Sequence, residues 1–202
     1  INIKKIPRID YVIYCLKSES TKSSNRYFNH FLKLLETLPK KPKILFTSSG
    51  AIYGNNKTKK NENSIISYKK INELTGYKKN YALEKVFMES KFKELGKLNY
   101  DVSIARCFNF LGKYILNSNQ AVGSLISDGL IKNTITLNTS TNVYRGYMNA
   151  DDLVRWLIVI LKNSNKNCPI YNVGSDKGIN LRFLAQKIAK IFNKQLKLKK
   201  VK

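Results

Sequence analysis

Tyr81 and Lys85 stand four residues apart in a segment of helical periodicity, so both side chains project from one helix face. An ammonium beside a phenol favours the phenolate and lowers the tyrosine pKa toward the working range, which would make Tyr81 usable as a proton acceptor or donor. Taken alone, the spacing fits a solvated helix face equally well. Ser48-Ser49 adds to it, because it falls at the carboxyl end of an expected parallel strand, where open α/β sheets bind ligands. A hydroxyl there can hydrogen-bond a substrate carbonyl or alcohol while Tyr81 moves its proton. The plain alternative for Ser48-Ser49 is a small-residue turn.

Other chemistries lack their residues. His30 is the single histidine, so a site with two imidazoles is excluded, and its place in the periodic run 28–35 reads as a helix surface. A Ser-His-Asp triad would have to use that residue. No metal site is expected. The three cysteines, Cys15, Cys107 and Cys168, are widely spaced and odd in number. Cys15 and Cys107 lie in apolar, strand-like segments and read as buried free thiols, which points to a reducing, cytoplasmic setting.

The chain has 202 residues, 43% of them hydrophobic, enough to bury a core as one domain or one domain plus a small lobe. Its longest apolar run, 156–161, is far too short to cross a bilayer. With 37 Lys+Arg against 13 Asp+Glu the net charge is +24. The lysines are scattered among asparagines, with dense runs only at 57–60 and 197–202, and neither run is interleaved with aromatics. That pattern reads as a solvated surface able to attract phosphorylated anions. The competing reading, a nucleic-acid binder, predicts steeply salt-dependent binding to any duplex.

The elements that must position these residues follow from pattern. Residues 11–16 read as a buried parallel strand, and Ser24 as the cap of a helix to residue 38 with Phe28, Phe31, Leu32, Leu35 and Leu38 on one stripe. A second buried strand at 44–46 runs into the small-residue stretch 47–51, and the Lys/Asn-rich segment 55–65 reads as an exposed loop. A long helix over 79–95 and a strand at 102–105 complete a β-α-β-loop-α-β pattern, that of a doubly wound parallel sheet. Beyond Gly112 come a helix at 121–129, short strands at 134–137, 143–148 and 170–173, a helix at 151–161, and a helix at 181–192 capped by Asn180. The expected division is 1–112 for a Rossmann-like domain carrying Ser49, Tyr81 and Lys85, and 113–202 for a small α/β substrate lobe interleaved with it.

These residues together resemble a known family: the extended short-chain dehydrogenase/reductases acting on nucleotide sugars, the NAD-dependent epimerase/dehydratase group. Asp10-Tyr11-Val12-Ile13-Tyr14 is similar to that family's fourth strand. Thr47-Ser48-Ser49-Gly50-Ala51-Ile52-Tyr53-Gly54 is similar to its active-site serine loop, and Tyr81-Ala82-Leu83-Glu84-Lys85 with Glu89 to its catalytic helix. Arg106-Cys107-Phe108-Asn109-Phe110-Leu111-Gly112 resembles its substrate-side strand and turn. Arg145-Gly146-Tyr147-Met148-Asn149-Ala150-Asp151-Asp152 and Tyr171-Asn172-Val173-Gly174-Ser175 resemble its C-terminal lobe.

The resemblance implies a role for each matching residue. Ser49 would bind the reacting sugar hydroxyl and Tyr81 would be the general base or acid. Lys85 would tune Tyr81 and hold the nicotinamide ribose of NAD, with Thr47 also on the cofactor side. Asn109 would bind the diphosphate region of the nucleotide-diphosphate sugar, and Arg145 would pair with a phosphate, as a guanidinium does well. Asp151 and Asp152 read as helix-start residues and Glu89 as a structural ion-pair partner. The implied reaction is transient oxidation to a keto-sugar, for surface polysaccharide precursors, by an enzyme that dimerises if residues such as Phe87 face outward.

Two departures matter. Dehydratases place an Asp-Glu pair just after the serine, where this chain has Gly50 and Ala51, so epimerisation or another keto-sugar reaction is favoured over a dTDP-glucose 4,6-dehydratase-like activity. Gly146 and Asn149 also stand where Asp and His are common. The family's opening βαβ unit, with its glycine-rich pyrophosphate turn, has no counterpart before Tyr11, so roughly sixty to seventy preceding residues are expected to be absent. The usual last segment after about Val201 is expected to be absent as well. As given, the chain is expected to keep the catalytic residues without turning over, and a non-catalytic binding or dimerisation module is the alternative.

Overall fold

The computed structural model describes residues 8–18, 20–55, 58–113, 121–138 and 143–199. Of the basic runs, Lys57 and residues 200–202 lie outside the described residues. In chain order come β1 (Tyr11–Tyr14), α1 (Thr21–Thr37), β2 (Lys43–Ser49), a single 3-10 turn (Gly50–Tyr53), α2 (Tyr68–Asn72), α3 (Tyr77–Lys97), β3 (Val102–Cys107) and β4 (Phe110–Leu111). They are followed by α4 (Ala121–Ile131), β5 (Thr134–Asn138), β6 (Tyr144–Gly146), β7 (Met148–Asn149), α5 (Ala150–Lys162), β8 (Ile170–Val173), β9 (Gly178–Asn180), α6 (Leu181–Ile191) and β10 (Gln195–Lys199).

Two compact units result. The first joins 8–107 to 154–173 and the second joins 108–153 to 174–199. These bounds differ from the expected 1–112 and 113–202, because the chain returns to the first unit within α5 and stays through β8.

The first unit is built on a four-stranded parallel sheet in the order β1-β2-β3-β8. Ile44, Leu45 and Phe46 of β2 have no exposed surface, as expected of a strand covered on both faces. On one face, Phe28 and Leu35 of α1 and Met88, Phe92 and Leu95 of α3 pack against Ile44, Phe46, Val102 and Ile104. On the other, the Ser103 hydroxyl meets the Ile160 carbonyl of α5 at 3.5 Å, and Ser164 donates to the Ile44 carbonyl at 3.2 Å. Helices on both faces make this the doubly wound Rossmann-like α/β fold the sequence pattern predicts. No helix among the described residues is long and apolar enough to cross a membrane.

Two local expectations are corrected. The cap of α1 is Ser20, whose side chain accepts from the Ser23 amide at 3.2 Å, not Ser24. Ser24 lies inside the first turn, buried, with its hydroxyl on Glu84. β1 is an edge strand of the described sheet, not a fully buried one. Val12 and Tyr14 pack inward, while Tyr11, Ile13 and Cys15 alternate onto an exposed face. Cys15 is therefore exposed, Cys107 half-buried and Cys168 buried.

The second unit has its own core, formed by Val122 and Leu125 of α4, Ile135 and Leu137 of β5, and Ala185 and Ile188 of α6. β5 pairs in parallel with β10, β4 in parallel with β7, and β6 antiparallel with β9. Asn180 caps α6 as expected, accepting from the Arg182 and Phe183 amides at 2.9 and 3.3 Å. Gly146 has a steric reason for its departure from the family pattern. A Cβ there would lie 2.5 Å from the Ser175 carbonyl oxygen, so the backbone of 175 has taken the space a side chain would need.

One buried polar network locks α3 to the sheet. Glu89 accepts from Arg106 at 3.0 Å (Nε to Oε1) and 2.8 Å (Nη2 to Oε2), and from the Ser48 hydroxyl at 2.6 Å. Arg106 Nη1 donates to the Tyr53 hydroxyl at 2.8 Å and to the Glu62 carbonyl at 3.2 Å. The Tyr53 proton lies within reach of Asn172 Oδ1 at 2.9 Å and of the Asn61 carbonyl at 3.0 Å. The Asn172 amide in turn donates to Glu62 Oε1 at 2.7 Å. The segment expected as an exposed loop over 55–65 is exposed at Asn61 and Glu62, which also tie it to the network.

Two stability predictions follow from this packing. Phe92 stacks on Phe46 at 4.5 Å between ring centroids and meets Phe28 edge-on at 5.2 Å. Phe92→Ala should cost about 3–5 kcal/mol in denaturant unfolding, as large-to-small changes at buried aromatics do. Glu89→Ala leaves Arg106 buried and unpaired and should also cost about 3–5 kcal/mol. A change under about 1 kcal/mol would mean that water reaches the guanidinium once Glu89 is gone.

Candidate active site

The buried stripe of α3 runs Leu95, Phe92, Met88 and then Lys85 and Tyr81. It changes from apolar to ionisable where the helix passes the carboxyl end of β2. Gly76, the residue before α3, has φ of +53°, a left-handed conformation that glycine adopts without strain and that turns the chain into the helix.

Tyr81 lies beside the Ser49 hydroxyl, which favours its phenolate form. Ser49 is held from the other side, because its Oγ accepts from the Ala51 amide at 3.2 Å and caps the 3-10 turn. The Tyr81 ring also stacks on Tyr77 at 5.7 Å, and the Lys17 ammonium lies 4.8 Å from the centroid of the Tyr77 ring.

Lys85 is 3% exposed and its Nζ lies 5.0 Å from the centroid of Phe46 and 5.7 Å from that of Tyr81. Burial pushes its pKa below the ordinary lysine range, and the neighbouring Glu84 carboxylate works against that. Tyr81 differs from the expectation of a lowered pKa. Burial raises it, the Ser49 hydroxyl pulls it back, and the negative charges available to Tyr77, Glu84 and Cys107 raise it further. Burial is the main reason, and the Glu84 carboxylate, 3.7 Å from the Lys85 ammonium, adds a negative charge near the phenol. The thiol of the half-buried Cys107, at the end of β3, is pushed up to about 11 by loss of solvent, so it is a neutral neighbour at ordinary pH.

Ser49, Tyr81 and Lys85 thus come together in the first unit. Thr47 belongs to the same strand end, and its hydroxyl donates to the Tyr14 carbonyl at 3.3 Å, joining β2 to β1. Asn109 and Arg145 belong to the second unit. Asn109 Nδ2 reaches the Gly146 carbonyl at 3.5 Å, and its own carbonyl accepts from the Met148 amide at 3.1 Å. Arg145 is exposed on β6, opposite Ile179 of β9, with Nη1 3.3 Å from the Tyr144 carbonyl. His30 is exposed on α1, and no group of three or more His, Cys, Asp or Glu suited to a metal occurs among the described residues. Asp151 and Asp152 lie in the first turn of α5, as helix-start residues should. Phe87 is half-buried against the core of the first unit.

Sequence reasoning missed Glu84, Ser24, Tyr53 and Asn172. One signal was present for Glu84. It stands in the i, i+4, i+8 register of Met88 and Phe92, so a carboxylate falls on an apolar stripe.

Comparison with known proteins gives the family and the fold. The sequence pattern described as the NAD dependent epimerase/dehydratase family matches residues 2–174. Among curated proteins none matches the chain. Among solved structures, the fold is similar to RMD from Pseudomonas aeruginosa complexed with NADPH, with a TM-score of 0.75 at 20% identity over 95% of this chain and 69% of that one. It is similar to UDP-N-acetylglucosamine 4-epimerase from Methanobrevibacter ruminantium M1, with a TM-score of 0.74 at 21% identity over 100% and 66% of the two chains. It is also similar to the DesIV double mutant, a dTDP-glucose 4,6-dehydratase from Streptomyces venezuelae with NAD bound, with a TM-score of 0.73 at 16% identity over 99% and 63%. The chain therefore spans about two thirds of the length of these structures. With its sequence matched from residue 2 to 174, the chain belongs to the NAD-dependent epimerase/dehydratase family.

Proposed function

We propose that this protein acts on a nucleotide-diphosphate sugar by transient oxidation to a keto-sugar, in the manner of an epimerase, with Tyr81 as general base. The observation that carries the reading is the meeting of Ser49, Tyr81 and the buried Lys85 at the carboxyl end of β2, with the Lys85 ammonium 5.7 Å from the centroid of the Tyr81 ring. Ser49 would orient the reacting sugar hydroxyl, and Tyr81 Oη would take its proton as the carbon is oxidised and return one on reduction. Gly50 and Ala51 hold no acid or base, which supports epimerisation over elimination of water.

NAD is the family's cofactor, and the residues at this strand end suit one end of it. An ammonium has three donors, and Glu84 approaches this one from a single side at 3.7 Å, so Lys85 can also hydrogen-bond a ribose diol. Tyr81, Lys85 and Thr47 are the residues that would hold the nicotinamide ribose. When bound, NAD supplies the hydride acceptor. Asn109 and Arg145 are assigned to the nucleotide diphosphate, consistent with the exposure of the Arg145 guanidinium. A cytosolic homodimer serving surface polysaccharide precursors completes the proposal. Its three free cysteines support the reducing setting.

Tyr81→Phe removes the proton acceptor while keeping the ring. Turnover of UDP- or dTDP-sugars, assayed in the protein carrying whatever segment precedes Ile1, should fall by roughly 10²–10⁴-fold. Undiminished turnover would remove Tyr81 from the chemistry. For the second unit, thermal unfolding of the chain should be shifted upward by UDP or dTDP, by about 2.7 kcal/mol at a hundredfold excess over Kd. Arg145→Ala should abolish that shift, and a chain that responds to neither diphosphate, or equally well without Arg145, is not using this residue for a phosphate.

A further inference from the structure

Glu84 and Lys85 are consecutive residues of α3, and both are buried to 3% exposure. Neighbours in a helix point about 100° apart, so the helix by itself does not bring their charged ends together. The packing does. Glu84 points toward the start of α1, where the Ser24 hydroxyl donates to its Oε1 at 2.7 Å. The Ser18 hydroxyl pairs with Ser24, and Ser18 also donates to the Ser20 carbonyl at 2.9 Å, so the carboxylate is anchored to the segment joining β1 and α1. Lys85 points toward the sheet end. Its Nζ meets the other carboxylate oxygen, Oε2, at 3.7 Å and lies 5.7 Å from the centroid of the Tyr81 ring. Oε2 is buried and has no hydrogen-bond partner, so the Lys85 ammonium is its answering charge.

We propose that Glu84 is a positioning residue for proton transfer at Tyr81: its carboxylate anchors the Lys85 ammonium and balances that ammonium's charge where it faces the phenol. The proposal rests on the reading of Tyr81 as the proton-transferring group. A buried carboxylate at this distance works against the loss of the Lys85 proton that burial favours. It also holds the phenol in its neutral form until the charge around it changes, for instance when a ligand draws the ammonium away from Oε2. The other titratable groups around the pair are Tyr14 of β1, Cys15 and Lys17 just beyond it, Tyr77 in the first turn of α3, and Cys107 at the end of β3. None of them is a carboxylate, and Glu89, one turn further along α3, is committed to Arg106 and Ser48. Tyr14 reports the same charge, since its hydroxyl is pushed up to about 12, first by burial and then by Glu84.

The test is a titration of Tyr81 in the chain itself, followed by NMR of ¹³Cζ-labelled tyrosine and assigned with Tyr81→Phe. Glu84→Gln keeps the size of the side chain and an acceptor for Ser24 while removing the charge, and its Tyr81 midpoint should shift downward. Glu84→Asp keeps the charge and should leave the midpoint close to that of the unaltered chain. An unchanged midpoint in Glu84→Gln, or an equal fall in Glu84→Asp, overturns the proposal. Should Glu84→Gln fail to fold, the unaltered chain still decides the matter. A Lys85 ammonium held in a buried ion pair exchanges its protons slowly enough to give a ¹⁵N–¹H signal with a contact to the Glu84 carboxylate, and the absence of that contact overturns the assignment. Neither measurement needs turnover. A shifted Tyr81 together with normal turnover in Tyr81→Phe would therefore uphold Glu84 as counter-ion and reject the catalytic reading of Tyr81.

Discussion

Glu89 is the residue on which the geometry of this site depends. A carboxylate taken out of water is costly unless its oxygens are filled, and here three donors from two strands fill them: Arg106 twice from β3 and Ser48 from β2. That arrangement is satisfied at one depth and one rotation of α3 relative to the sheet. Because Lys85 and Tyr81 lie one and two turns before Glu89 on the same face, the rotation that pairs Glu89 also delivers them to the carboxyl end of β2. Phe92, one turn beyond, stacks on Phe46 in the same register. Polar specificity and apolar packing thus select a single placement of the helix.

The electrostatics of the first unit are arranged in answered pairs. In a chain with 37 basic and 13 acidic residues, carboxylates are scarce, yet α3 places two of them out of water. Glu89 answers Arg106 and Glu84 answers Lys85. The two pairs differ in geometry. The first is bidentate and short, the arrangement in which a guanidinium and a carboxylate bind most strongly. The second is a single approach at 3.7 Å, looser and hence easier to rearrange. A rigid pair suits a structural lock and a loose one suits a group that must interact with something else. Basic residues at the surface, by contrast, pair more weakly, as with Lys40 and Lys70, whose pairs with acids are solvent-exposed and individually worth little.

The second unit is organised by different means. Its strands are short and pair two by two, and its stability comes from α4 and α6 closing over β5. Close backbone approach replaces side-chain pairing in places. At Gly146 the carbonyl of Ser175 occupies the position a Cβ would need, so the residue type at 146 is set by packing between the turn after β6 and the segment before β9. The candidate anion-binding residues Asn109 and Arg145 are carried on this framework, one just before β4 and the other within β6.

The sequence by itself determined the order and type of most elements. Apolar runs placed β2, β3 and β8, helical stripes placed α1, α3, α5 and α6, and Asn180 marked the start of α6. These signals are local, because burial on one face or both imposes a period that a short window contains. The short α2 and the strand β10 carried too few periodic residues to register. Ser49, Tyr81 and Lys85 were legible from spacing and motif. What only the tertiary structure decided was which polar groups meet across long stretches of chain. Ser24 finds Glu84 sixty residues away, Tyr53 finds Asn172 at a separation of 119, and the loop at Asn61 and Glu62 is pinned to both. No period encodes such pairs, because each depends on where two elements end up in space. The protonation of Tyr81 belongs to this second class. Spacing alone predicted a phenol made more acidic by Lys85, and the fold reversed the sign by burying the phenol and setting Glu84 beside the ammonium.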